Sequence, residues 1–368
     1  MAKQLKIGIL GTRGIPNRYG GFEQCAEYLA LGLTQNGHNV YVYSAHDHEY
    51  QENTWNGVHI IHCHDPEHKM GTFGQFIYDY NCIRDARTRK FDILLQLGYT
   101  SNSIWYKKWP HDCRNIVNMD GLEWKRSKYN KYVQRFLKYA EKLAALNADA
   151  LVADSIGIQE YLKSTYGKEA TFIPYGAAIF DSPDRSVISK YCLTAFQYHL
   201  LIARMEPENN IEMTIQGVTN AGQNKPLIIV GKIENTFSKG LVEKYGQNKG
   251  IKFLGGIYDV PVINNLRYYS SLYFHGHTVG GTNPSLLEAM GCSALIAAHN
   301  NVFNKSVLGD DAFYFSDSEQ VTNIINTTGD KHLYRDKLDK NIAKINDFYN
   351  WPSVTDKYER LFFDSLKK

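Results

Sequence analysis

The stretch HTVGGTNPSLLEAMGC, from His277 to Cys292, sets two glycines, a run of cap-forming residues and one carboxylate between apolar segments. Gly280 and Gly281 allow a tight turn, Thr282 and Asn283 can cap, Pro284 suits a first helical position, and Ser285 to Met290 continue as helix. Such a helix start offers unpaired N–H groups and the positive end of a dipole, so it suits a phosphate, with Ser285 and Leu286 in its first turn. Glu288, about one turn further in, is placed to accept hydrogen bonds from vicinal sugar hydroxyls. The competing reading is a capped helix whose glutamate faces water.

Other chemistry-bearing residues also follow apolar runs. In GTRGIPNRYGGFEQCAEYLALGL, the loop from Gly11 to Gly21 carries Arg13 and Arg18 and opens a helix at Gly20-Gly21. Its span is too long for the tight GxGxxG turn, which removes the main support for a nicotinamide cofactor but still permits close backbone approach to a phosphate or sugar. Arg204 follows LLIA with Glu206 and Pro207 behind it, and Lys232 follows LIIVG, so both are candidates for diphosphate charge. Asp120 and Glu123 follow NIVNM, where a carboxylate either positions a sugar hydroxyl or caps a turn. The histidines of VHIIHCHDPEH lack a second pair at zinc spacing, and no acidic pair stands out after a strand, so metal-independent chemistry is expected. No cofactor is expected either.

These residues need strand ends to hold them. KIGIL, NVYVYS, VHIIHC, FDILLQL, NIVNM, ALVAD and TFIPY alternate with helix-length intervals in the first half. YHLLIAR, PLIIVG, IKFLGG, SLYFHG, ALIAAH and AFYFS do so in the second. Such alternation predicts an α/β fold of two doubly wound, Rossmann-like domains with parallel sheets, whose ligands lie outside the carboxyl ends of the strands. The boundaries expected are 1–180 and 190–350, with a linker near 179–189. A terminal amphipathic helix from Trp351, with residues 351–368 returning to the first domain, completes the partition.

Composition bounds the rest. A chain of 368 residues with 43% hydrophobic content has apolar material for two cores. A net charge of +3 does not imply nucleic acid, and none is expected as a partner. Six cysteines without CxxC spacing fit reduced thiols in the cytoplasm. No signal peptide precedes the first strand, and no apolar run is long enough to span a bilayer. Between Lys125 and Lys142, seven basic residues interleave with Tyr129, Tyr132, Phe136 and Tyr139 against one acid, Glu141. The run 125–142 fits an anionic membrane surface on the inner face of the cell membrane, or else a solvated helix face.

In combination, Gly20-Gly21, Arg204 and GGTNPSLLEAM resemble the glycosyltransferase family 4 group of GT-B enzymes. GTRGIPNRYGGFE, NMDGLEWKR, IPYGA and GGTNPSLLEAM resemble most closely its rhamnosyltransferase-like branch, which builds bacterial surface polysaccharides. The resemblance implies two domains facing across a cleft, with the nucleotide-sugar donor on the C-terminal one. It further implies retaining transfer of L-rhamnose from dTDP-L-rhamnose to a lipid-linked or oligosaccharide acceptor. UDP-glucose or UDP-galactose are alternative donors, and a nonenzymatic sugar-nucleotide-binding protein is the alternative outside enzymes. Glu288 matches the second of the family's paired glutamates, which engages the ribose, while Gly280 stands at the first. Arg204 matches the family's arginine, but Asn209 stands where its lysine is expected, leaving Lys232 as a substitute. Asp120 occupies the strand end beside the reacting sugar, and Arg13, Tyr19, Glu23 and Glu123 fall on the acceptor side.

Overall fold

The structure, a computed structural model, describes residues 3–18, 20–126, 129–222, 225–278 and 281–367. These fall into two compact units. The first gathers the residues up to Lys125, Tyr129–Tyr175 and those from Trp351 onward, and the second holds Arg126 and Gly176–Asn350.

The first unit is built on β1 (Lys6–Leu10), β2 (Asn39–Ala45), β3 (Thr54–Trp55), β4 (Val58–Cys63), β5 (Ile93–Leu97), β6 (Arg114–Asn118), β7 (Ala150–Ala153) and β8 (Thr171–Phe172). Their order in the sheet is β3-β4-β2-β1-β5-β6-β7-β8, parallel except for the short β3, which runs antiparallel to β4. The apolar, β-branched runs make strands buried on both faces, as a parallel sheet covered by helices requires. Strand order reverses at β1, between β2 and β5. Gly11, directly after β1, has φ +93°, and a Cβ there would lie 2.2 Å from the Leu97 carbonyl oxygen, so only glycine lets the chain leave the strand this way. The helix Trp351–Leu366 belongs to this unit. Its apolar positions recur at helical spacing, burying Val354, Tyr358 and Phe362, while Trp351 stacks on Tyr28 with ring centroids 4.6 Å apart.

The second unit carries β9 (His199–Ile202), β10 (Leu227–Val230), β11 (Ile251–Gly255), β12 (Tyr273–His275), β13 (Ile296–His299) and β14 (Phe313–Phe315). All pairs are parallel, in the order β11-β10-β9-β12-β13-β14, with the reversal between β9 and β12. Leu201, Ile229, Phe274, Ala297 and Phe315 build one core from five successive strands. The segment 179–189, expected as a linker, is part of this unit. Phe180 donates its N–H to Gly291, and the short helix Arg185–Ser189 buries Ile188.

Candidate functional site

In the second unit, β9 and β12 are neighbours at the point of reversal, so the segments leaving their carboxyl ends lie side by side. Arg204 leaves β9 exposed, and its guanidinium has no partner among the described residues. Asn209, which replaces the expected lysine, is buried and donates from Nδ2 to the Arg204 carbonyl at 2.7 Å. It shapes the loop under Arg204 rather than adding charge. Thr278 Oγ1 donates to the Glu208 carbonyl at 2.8 Å, and Asn210 Nδ2 to that of Gly276 at 2.7 Å, stitching the two strand-end segments together. Gly231 lies against Ala203, bringing the Lys232 segment beside that of Arg204. The Lys232 ammonium is exposed, 3.4 Å from Glu234 and 5.6 Å above the Tyr258 ring. Its charge is thus already countered in part.

The helix after β12 spans Pro284–Gly291, and its start corrects one expectation. The first-turn N–H groups are not bare. Pro284 has none, Asn283 Oδ1 accepts from Ser285 N at 2.9 Å, and the Asn283 carbonyl accepts from Leu286 N. The cap consumes the donors that an anion would use. Open N–H groups lie one step earlier, at Gly281 and Asn283, which donate to nothing among the described residues. Thr282 is buried beside them. Gly280 and Tyr19 lie outside the described residues.

Glu288 is partly exposed, and its Oε2 accepts from Arg267 Nη2 at 2.5 Å. Arg267, which sequence reasoning missed, is buried in the helix Val260–Tyr268. Its Nη2 also donates to Ser285 Oγ at 3.1 Å, and the Tyr273 hydroxyl lies 2.9 Å from the same Oγ. Behind this group, the His275 and His277 rings stack at 4.3 Å. Burial, and then the charges of Arg204 and Arg126, push the His277 pKa down to about 3, so the ring is neutral at ordinary pH.

In the first unit, Gly20 and Gly21 begin the helix Gly21–Gln35 with no side-chain cap. Among the described residues nothing accepts from the N–H groups of Gly21, Phe22 and Glu23. Gly20 has extended backbone, which any residue adopts, and a Cβ there would meet only Glu23 Oε2, at 3.4 Å. Its lack of a side chain leaves space rather than relieving strain. Glu23 is buried and its Oε1 accepts from Arg13 N at 2.9 Å. The Arg13 guanidinium forks onto Glu67 at 2.5 Å, so it is engaged within its own unit.

Asp120, just beyond β6, has φ +46°, a left-handed conformation that Asp tolerates, and its N–H donates to Asn118 Oδ1 at 3.0 Å. Asn118 Nδ2 in turn donates to the Tyr358 hydroxyl at 2.9 Å. Asp154, buried at the end of β7, is a second carboxylate in this region, for both raise the pKa of Cys25, whose burial alone does most to push it to about 12. The run ALVAD carried that signal. Glu123 starts a short 3-10 turn, its N–H donating to the Tyr99 hydroxyl. Glu141 is no surface acid. It is buried and receives Trp124 Nε1 and the Tyr161 and Tyr166 hydroxyls, drawing Lys138 inward with it. Among the described residues no group of three or more His, Cys, Asp or Glu is arranged to hold a metal ion, and no helix is long and apolar enough to cross a membrane.

Residues 196–344 match the family described as Glycosyl transferases group 1. That match lies within the second unit. Residues 4–178 match a domain of unknown function, DUF1972. No curated protein matches the sequence. The fold is that of GT-B glycosyltransferases. Sucrose-phosphate synthase from Thermosynechococcus elongatus superposes with a TM-score of 0.81 at 14% identity, covering 98% of this chain and 99% of that one. Anabaena HepE in complex with UDP and glucose gives 0.77 at 17%, covering 98% and 100%. The catalytic domain of Arabidopsis thaliana starch synthase IV, bound to ADP and acarbose, gives 0.76 at 12% over all of both chains.

Proposed function

We propose that this glycosyltransferase moves L-rhamnose, with retention, from dTDP-L-rhamnose to a lipid-linked or oligosaccharide acceptor in surface polysaccharide synthesis. The observation that carries the reading is that Arg204, an exposed cation, and Glu288, a partly exposed carboxylate held by Arg267, follow β9 and β12, the neighbouring strands at the strand-order reversal. Arg204 is assigned to the diphosphate, Glu288 to the sugar of the nucleotide, and the open N–H groups of Gly281 and Asn283 to a phosphate oxygen. Lys232 becomes a secondary cation that must leave Glu234 to contribute. In the first unit, the uncapped helix start at Gly20-Gly21 suits an anion, and Asp120 is assigned to a sugar hydroxyl near the reacting carbon. Motif resemblance supplies the choice of rhamnose.

In the reaction, an acceptor hydroxyl oxygen bonds to the anomeric carbon as the bond from that carbon to the diphosphate breaks. The hydroxyl proton passes to the departing phosphate oxygen, giving the nucleoside diphosphate and the glycoside. Fixed cations and N–H groups stabilise the charge that develops on the diphosphate. Turnover should therefore survive excess EDTA; loss of activity restored by magnesium or manganese would overturn that.

A second donor class is favoured by one feature. A carboxylate at Glu288 suits a vicinal diol, which UDP carries and dTDP lacks, and HepE was crystallised with UDP and glucose. Purified protein should be given dTDP-rhamnose, UDP-glucose and UDP-galactose with a lipid-linked acceptor mimic, and released nucleotide measured. Preference for dTDP-rhamnose supports the proposal, preference for a UDP sugar replaces its donor, and binding without release of nucleotide rejects it. For a lipid-linked acceptor, the helix Lys131–Asn147 is the proposed membrane-facing element on the cytoplasmic side.

A further inference from the structure

Arg267 is 2% exposed, yet its Nε has no hydrogen-bond partner among the described residues. Its contacts run through the other nitrogens: Nη1 donates to Asn264 Oδ1 at 3.3 Å, and Nη2 serves both Glu288 Oε2 and Ser285 Oγ. A buried ion pair is weak evidence for a stabilising role, because apolar residues of similar volume often replace such pairs without loss. The asymmetry of this pair is the informative feature. The arginine side chain is 3% exposed and the carboxylate side chain 26%, so the cation is enclosed while the anion reaches the surface beside the Gly281–Asn283 segment. A glutamate there without a fixed partner would sample several rotamers. With Arg267 behind it, and Ser285 tied to Tyr273 by the same network, the carboxylate has one orientation.

We propose that Arg267 is a positioning residue for nucleotide binding, fixing the direction of Glu288, with no contact of its own to the ligand. The inference rests on the assignment of Glu288 to the nucleotide sugar. Asn264 and Tyr273 hold the arginine side of the arrangement, so the orientation reaches the ligand only through Glu288.

The test measures UDP affinity by calorimetry at pH 8, for wild type, Glu288→Gln, Arg267→Met, Arg267→Lys and the Glu288→Gln/Arg267→Met double variant, with thermal melts run alongside. Each variant is expressed as a ratio to wild type. Glu288→Gln should weaken binding by about tenfold or more. Arg267→Met should weaken it severalfold, because the carboxylate loses the donor that aims it. Arg267→Lys, which keeps a charged donor behind the carboxylate, should recover part of that loss. The double variant should bind no worse than Glu288→Gln alone. Unchanged affinity in Glu288→Gln removes the assignment of Glu288 and this inference with it. A loss in Glu288→Gln beside wild-type affinity in Arg267→Lys and Arg267→Met removes the inference alone, as does a double variant whose loss is the product of the two single losses.

Discussion

Replacing Arg204 with alanine should weaken UDP binding by about tenfold or more while leaving uridine affinity unchanged, since only the diphosphate carries the charge the guanidinium is proposed to meet. Equal losses for both ligands would remove that assignment. A second residue-scale expectation concerns acid. Burial, and then Lys225, lower the His199 pKa to about 3. Between that value and the ordinary 6.5, the unfolded chain takes up a proton that the folded unit refuses, so stability present above pH 6.5 drains away as the pH falls. His199→Leu should flatten the decline in melting temperature between pH 7 and 4.5, by on the order of 1 kcal/mol per pH unit. Parallel profiles would show that His199 takes up its proton equally in the folded and unfolded states. At this scale the sequence was partly legible. Glu288 and Arg204 stood out by type and position after a strand, and Asn283 was readable as a cap. That the cap takes up the helix donors, and that the carboxylate faces a buried arginine 21 positions earlier, are matters of side-chain direction that periodicity does not carry.

The elements themselves were more open to reading, because each long strand is an apolar, β-branched run of parallel-sheet type. The two-residue β3 was not, being too short to show a period. Packing between elements was hidden as well. Gly32, inside the helix Gly21–Gln35, lies against Thr355, and a Cβ there would come within 2.5 Å of Thr355 Oγ1. Gly32→Ala should therefore destabilise the first unit by about 1–2 kcal/mol, overpacking outweighing the gain in helix propensity. In a Thr355→Ala background the same change should become neutral or stabilising. An equal effect in both backgrounds would mean that the helices separate freely. The helix Lys131–Asn147 keeps Tyr132, Arg135, Tyr139, Lys142 and Leu146 on one exposed face, at spacings of three and four. If that face meets anionic lipid, the protein should cosediment with phosphatidylglycerol vesicles at low salt, and the double change Tyr132→Ser/Tyr139→Ser should reduce this severalfold. Equal cosedimentation with phosphatidylcholine vesicles would reject the electrostatic part.

For the whole molecule, the first unit is drawn from both sides of the second in sequence. Ending the chain at Asn350 removes Trp351, Val354, Tyr358 and Phe362 from the first unit, apolar burial worth on the order of 5 kcal/mol. The first unit's melting transition should fall sharply or vanish while the second unit's persists. Loss of the second unit's transition alone would contradict that partition.

The same threading sets an order of events on the ribosome. The helix that covers Tyr28 and Gly32 is translated only after the unbroken stretch Gly176–Asn350. At ordinary elongation rates that is a delay of roughly 10 to 30 seconds. The second unit is completed only as that interval ends, whereas the first waits through it with an apolar helix face uncovered, a natural place for a chaperone to hold. Released chains ending at Asn350 should thus resist protease across the second unit while remaining cleavable in the first.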